Sequence, residues 1–169
     1  ISTNSGLWRY IIGDCVRFTS VAPYKIQITG RTKQFINVFG EELMVENVER
    51  ALAEVCKDFD VMVRDYTVAP VFLEGENKGG HEWLIEFKEP PIDLNGFIDK
   101  LDLALKAVNS DYEAKRCKDL ILEAPKVHIA SKGLFFNWMR TRGKLGGQNK
   151  VPRLSNKRVY LDELLSMNS

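Results

Sequence analysis

"FDVMVRDYTVAPVFL" (Phe59–Leu73), "EGENKGG" (Glu74–Gly80) and "HEWLIEFK" (His81–Lys88) follow one another without a break. The first run is apolar and rich in β-branched residues, which is the composition of a strand. The second is a polar turn. The third alternates, as the returning strand of a hairpin does. Upstream, Met44, Val45, Val48, Ala51, Leu52 and Val55 recur at helical spacing, with Glu46, Glu49, Arg50 and Glu54 on the opposite side. Before that helix, "QFINVFG" (Gln34–Gly40) reads as a short apolar strand closed by a glycine. Downstream, Asp93 is placed to cap a helix after Pro90-Pro91, with Leu94, Phe97, Ile98, Leu101, Leu105 and Val108 in one stripe. Asn109 to Arg116 is polar and reads as a short helix or loop. "LILEAPKVHIA" (Leu120–Ala130) reads as a strand with Pro125 marking an edge or bulge. Short helices are expected after Ser131, through Phe135, Phe136 and Met139, and over Tyr160–Met167. From Gln34 the order is therefore β-α-β-β-α-β-α. That order predicts an α+β domain with a ferredoxin-like βαββαβ sheet and helices on one face.

Two earlier β-rich runs stand apart from this unit. "LWRYIIGDCVRFTS" (Leu7–Ser20) is broken at Gly13-Asp14, where a glycine suggests a bend or the close approach of another group. After a turn at Pro23, "YKIQITGR" (Tyr24–Arg31) alternates, with Ile26 and Ile28 on one face. These runs predict a hairpin-like piece over residues 1–32 and a compact domain over 33–169. The chain begins at Ile1 without Met, in what reads as mid-sequence, so a fragment of a longer protein is expected.

The 169 residues carry a net charge of +1 with 28% charged residues, a balance that argues against electrostatic binding to nucleic acid or membrane. No run of about 18 apolar residues marks a membrane span. Cys15, Cys56 and Cys117 are widely spaced and form no metal-binding pattern, so reduced thiols in a cytoplasm and no metal site are expected.

Three places could carry chemistry. Asp14, after a strand-breaking glycine, offers a carboxylate that can accept from both hydroxyls of a ribose; taken alone, it reads first as a turn aspartate. Arg31 and Lys33 lie in a Gly-Arg-Thr-Lys breakpoint that could clamp a phosphate, act as a hinge, or be solvated charge. "RTRGKLGGQNKVPR" (Arg140–Arg153) is basic and glycine-rich, so a ligand could approach its backbone closely; a surface loop is the plain alternative. It does not match a phosphate-binding P-loop, because no Ser or Thr follows Lys144. His81 and His128 read as structural, Trp8, Trp83 and Trp138 as core or half-core, and Glu41-Glu42 as either functional or a helix lead-in.

Taken in order, "YIIGD", "GRTKQFINVFGEELMVENVE" and the lysine loop resemble the C-terminal portion of the adenylate-forming superfamily. Within it, "LWRYIIGDCVRFTS", "ITGRTKQFINVFGEEL" and "GQNKVPRL" look most like the auxin-responsive acyl acid amido synthetase family, in a bacterial version. The resemblance spans nearly the whole chain and implies a lid domain with the tail of a large N-terminal domain. It implies that Asp14 holds the ATP ribose hydroxyls, that Arg31 lies near ribose and phosphates, and that Lys33 is at or beside the hinge. Lys150 then matches the lysine that neutralises charge as a carboxylate attacks the α-phosphate, with Lys144 as the runner-up. Mg²⁺ would share that role, and rotation of the lid would withdraw the lysine before the second half-reaction.

The implied partners are ATP, an acyl acid, an amino acid and the absent N-terminal domain. Its Ser/Thr/Gly-rich phosphate loop has no counterpart in this sequence, so the fragment alone is expected to be inactive. Thioester formation with coenzyme A is the alternative within the class. A non-catalytic ferredoxin-like binding or regulatory module is the alternative outside it, although the strands lack the aromatic pattern of RNA-binding sheets.

Overall fold

The computed structural model describes residues 2–6, 8–9, 13–31, 34–72, 78–117, 121–146 and 149–168, with the side chains of residues 15 and 29–31 left aside. Strands β1 (Asp14–Val21) and β2 (Tyr24–Arg31) form an antiparallel hairpin. At the expected bend, Gly13 has φ of 80°, a left-handed conformation that favours glycine, and β1 begins immediately after it; Tyr10–Ile12, the run expected before it, lie outside the described residues. The apolar positions Val16, Phe18, Ile26 and Ile28 pair across the hairpin, Val16 with Ile28 and Phe18 with Ile26, and all four are exposed. Trp8, expected to be at least half-buried, is 82% exposed.

The strand expected over Gln34–Gly40 contracts to β3 (Phe35–Ile36), which among the described residues pairs with β4 (Leu43–Met44) alone. The cause is the turn between them. The Glu41 carboxylate accepts the N–H groups of Phe39 at 2.7 Å and Val38 at 3.4 Å, and Gly40 and Glu42 both take positive φ. Glu41 is fully buried and also binds His81 Nε2 at 2.9 Å. Burial alone would raise its pKa, but the hydrogen bond from His81 and the backbone donors hold it below the ordinary carboxylate value. This residue therefore builds the turn and ties the buried His81 to it.

Helix α1 (Val45–Asp58) follows, with Val48, Ala51, Leu52 and Val55 buried. The quoted hairpin is β5 (Val63–Val71) and β6 (Gly80–Phe87), antiparallel over its length. Helix α2 (Leu94–Val108) is capped by Asp93, whose Oδ1 accepts Gly96 N–H at 2.9 Å. The polar segment after it is helix α3 (Ser110–Arg116), capped by Asn109, which accepts Tyr112 N–H at 2.8 Å. Strand β7 (Lys126–Ile129) is shorter than expected and starts directly after Pro125, which has no N–H for a ladder. It lies parallel to β6, giving the order β5-β6-β7. Helices α4 (Leu134–Thr141) and α5 (Val159–Met167) complete the chain.

The α+β class holds. Among the described residues the main sheet has three strands, because the opening strand of the βαββαβ order forms its own ribbon with β4. Helices α1, α2 and α3 cover one face of that sheet, around Tyr66, Val68, Trp83, Ile85, Phe87 and Val127. The later helices α4 and α5 cover the other face, over Ala69, Leu84 and Ala130. Every residue of β6 is consequently buried. No helix among the described residues is long and apolar enough to cross a membrane.

Candidate functional site

The two candidate lysines enter one cavity from two anchored pieces of backbone. Lys144 follows α4, and its N–H is bonded to Met139 O at 2.9 Å. Just before it, the Arg142 guanidinium lies 4.8 Å from the Trp138 ring and 5.3 Å from the Tyr160 ring, and pairs with Glu163 at 3.2 Å. Lys150 precedes a segment that docks on the free edge of β5. Pro152 O accepts the Thr67 hydroxyl at 2.7 Å, and Arg153 O accepts Val68 N–H at 2.9 Å. Ser155 N–H returns to Val68 O at 3.2 Å, and Leu154 forms a parallel bridge to Val68. Val151 and Leu154 are buried beneath this edge. The Arg153 guanidinium lies 5.0 Å from the Tyr66 ring and pairs with Glu49 of α1.

The cavity has a volume of about 580 Å³. Its basic lining is Arg64, Lys132, Lys144, Lys150 and Arg153; Phe135, Phe136, Met139, Leu145 and Val151 form its apolar wall. Two carboxylates, Asp65 and Glu86, also reach it and are cross-strand partners on β5 and β6. Glu86 accepts Gly133 N–H at 2.8 Å, at the start of α4. Burial pushes the Asp65 carboxyl above its ordinary pKa, opposed by Tyr66 N–H and Arg153 and reinforced by Glu86. Arg64 enters through a β-bulge: Val63 pairs with Phe87 and Asp65 with Glu86, so Arg64 is the extra residue between them.

The side chains of Arg64, Lys132, Lys144 and Lys150 form no hydrogen bond or ion pair with any described residue, whereas Arg153 is committed to Glu49. A concave surface with unpaired cations and an apolar wall can bind an anion that carries an organic group.

The other candidates lie on the N-terminal hairpin. Asp14 and Arg31 are register partners at one rung of the β1–β2 ladder. Asp14 is half-buried. Lys33, the expected hinge, lies outside the described residues. Asp14 and Arg31 are thus brought together, as are Lys144 and Lys150, but no described contact joins one pair to the other. The hairpin meets α1 through an Arg17–Glu46 ion pair at 3.2 Å, beside a cavity of about 480 Å³ lined by Gln27, Ile28 and Glu49 among others. Among the described residues no three His, Cys, Asp or Glu side chains gather as a metal site.

The contributions of Arg64, Asp65 and Glu86 were not expected from the sequence. Their signal was present, since each is a charged residue inside an otherwise apolar strand run. What remained hidden was the bulge that sets Arg64 out of register.

Among protein families, the model described as "GH3 family C-terminal domain" matches residues 46–159. The chain belongs to the GH3 family. A second model, "GH3 family central domain", matches residues 1–31. No curated protein matches this GH3 chain in sequence. Among solved structures it is similar to "GH3.15 acyl acid amido synthetase", at 19% identity and a TM-score of 0.75, covering 99% of this chain and 32% of the other. It is also similar to "AtGH3.15 acyl acid amido synthetase in complex with 2,4-DB", at 20% identity and a TM-score of 0.73, covering 99% and 31%. At these identities the likeness establishes a shared fold. The GH3 chain spans about a third of the length of either structure.

Proposed function

We propose that this chain is the C-terminal portion of an ATP-dependent, acyl-adenylate-forming ligase that joins a carboxylic acid to an amino acid through an amide bond. The observation that carries this reading is the unpaired Lys150, presented in a basic cavity by the GH3 C-terminal domain. In the first half-reaction the acid's carboxylate oxygen attacks the α-phosphorus of ATP. The bond to the bridging oxygen breaks, and pyrophosphate leaves with the electron pair. Negative charge rises on the α-phosphoryl oxygens, and the Lys150 ammonium stabilises it. The docked segment that begins at Val151 sets where Lys150 leaves the β5 edge, which limits the reorganisation needed when the charge develops.

Asp14 accepts from the ribose hydroxyls, and Arg31, its partner on the ladder, lies near ribose and phosphates. Lys33 is the hinge between residues 1–32 and the domain over 33–169. Rotation there withdraws Lys150 so that the acceptor amine reaches the acyl-adenylate. Mg²⁺ is a general partner of such chemistry; no three His, Cys, Asp or Glu side chains gather among the described residues, and none of them is assigned to it. The chain alone turns over no ATP, because the phosphate loop and the acyl pocket belong to the remaining two thirds of such an enzyme.

Pyrophosphate exchange in the full-length protein tests this reading. Lys150→Ala is expected to lower the exchange rate at least a hundredfold, as loss of a transition-state charge contact does. Exchange unchanged by that substitution removes the assignment. Product formation with amino acids, rather than with coenzyme A, is the expected outcome of the second half-reaction.

A further inference from the structure

We propose that Lys144 is not an alternative to Lys150 but its companion: it binds the departing pyrophosphate while Lys150 serves the α-phosphate. The proposal rests on the adenylation reading above. Both lysines line the same cavity of about 580 Å³, and neither is paired with a described residue. Arg64 and Lys132 are likewise unpaired and complete a group of four available cations. Asp65 and Glu86 are the opposing charges. Glu86 is engaged by Gly133 N–H, and Asp65 lies beside Arg153, which weakens the repulsion either would exert on an anion.

The chemistry favours a polyphosphate over a single carboxylate. One carboxylate can satisfy one or two cations, and the rest would be left in mutual repulsion. A diphosphate spreads several charges over neighbouring oxygens and can engage cations on more than one wall. In the displacement at the α-phosphorus, the bridging oxygen leaves with the bonding pair and carries new charge onto the pyrophosphate. A cation beside that group favours its departure, just as one beside the α-phosphate favours attack.

Lys144 is built for a fixed position. Its backbone is tied to the last turn of α4 through Met139 O, immediately after the Arg142 side chain packed on Trp138 and Tyr160. The Lys150 side chain projects from the opposite anchor on the β5 edge. A substrate entering the cavity therefore meets two ammonium groups that arrive from two separately anchored stretches of backbone.

The test is the KM for pyrophosphate in the exchange reaction of the full-length protein. Lys144→Ala is expected to raise that KM about tenfold or more, the usual worth of one charge-assisted contact, with a smaller change in kcat. Lys144→Arg is expected to restore it. Lys150→Ala should instead act mainly on kcat. A KM for pyrophosphate that Lys144→Ala leaves unchanged overturns the proposal, even if Lys150→Ala abolishes exchange. If the full-length protein catalyses no exchange, the adenylation reading falls, and equilibrium dialysis with labelled pyrophosphate decides the cavity. Binding weakened by Lys144→Ala sustains the anion site; binding equal to that of the unaltered protein overturns it.

Discussion

The Glu82 carboxylate is engaged by three basic side chains. Lys126 lies 2.9 Å from it, and His128 and Arg158 each lie 2.7 Å away. Burial alone would raise its pKa, but these hydrogen bonds and the Arg158 charge bring it down from 4.5 to about 2. A carboxyl depressed on folding contributes stability at pH values above its unfolded pKa. That contribution is lost as pH falls through the folded value, because the unfolded chain takes up the proton first. Glu82→Gln should therefore be clearly destabilising near neutral pH. The stability gap to the unaltered protein should close between about pH 4.5 and pH 2. Denaturant melts of both proteins across that range measure the gap, and a gap that does not narrow contradicts the assignment. His128, read from sequence as structural, is part of this cluster.

At the scale of elements, the Asp93 cap isolates one end of α2. Asp93→Ala should cost about 1 kcal/mol in thermal or denaturant unfolding, the usual worth of an N-cap oxygen. Gly96, at the bonded amide, has no room for a side chain: a Cβ there would lie 2.3 Å from Asp93 Oδ2. This cap was legible in the sequence because Asp, followed by a periodic apolar stripe, has few other physical readings. So were α1 and the β5–β6 hairpin, where apolar periodicity and burial coincide. The ends of β3 and β7 were less legible. At β3, a buried carboxylate two residues beyond a short apolar run turns the chain early, and an acidic side chain does not announce which N–H groups it will take. At β7, Pro125 cuts a run whose apolar pattern continues on both sides. Lys144 and Lys150 could be read as loop cations, but their convergence depends on Val151 and Leu154 docking beside β5, a long-range contact with no local signature.

Across the whole molecule, β6 is the shared wall of two cores. Trp83 lies in the core beneath α1, α2 and α3, and Trp138 in the core beneath α4 and α5. Leu84 faces the second core and is fully buried. Truncating it should cost about 2–5 kcal/mol through lost burial and the cavity left behind. Because both cores rest on one strand, the loss should lower a single transition rather than release one helix pair. Tryptophan fluorescence and far-ultraviolet circular dichroism of Leu84→Ala should report the same midpoint. Separate midpoints would mean that α4 and α5 unfold independently of the sheet.

The edge segment 151–155 ties the basic cavity to that same strand system. Lys150 hangs from the β5 edge and Lys144 from the end of α4, and both supports belong to one packed body. A rigid-body movement of that body would therefore carry the backbone of both lysines together. If both serve one polyphosphate, as proposed, dissolved salt is expected to weaken both contacts together. The response of such a site to ionic strength is therefore steeper than that of a lone lysine at the tip of a free loop.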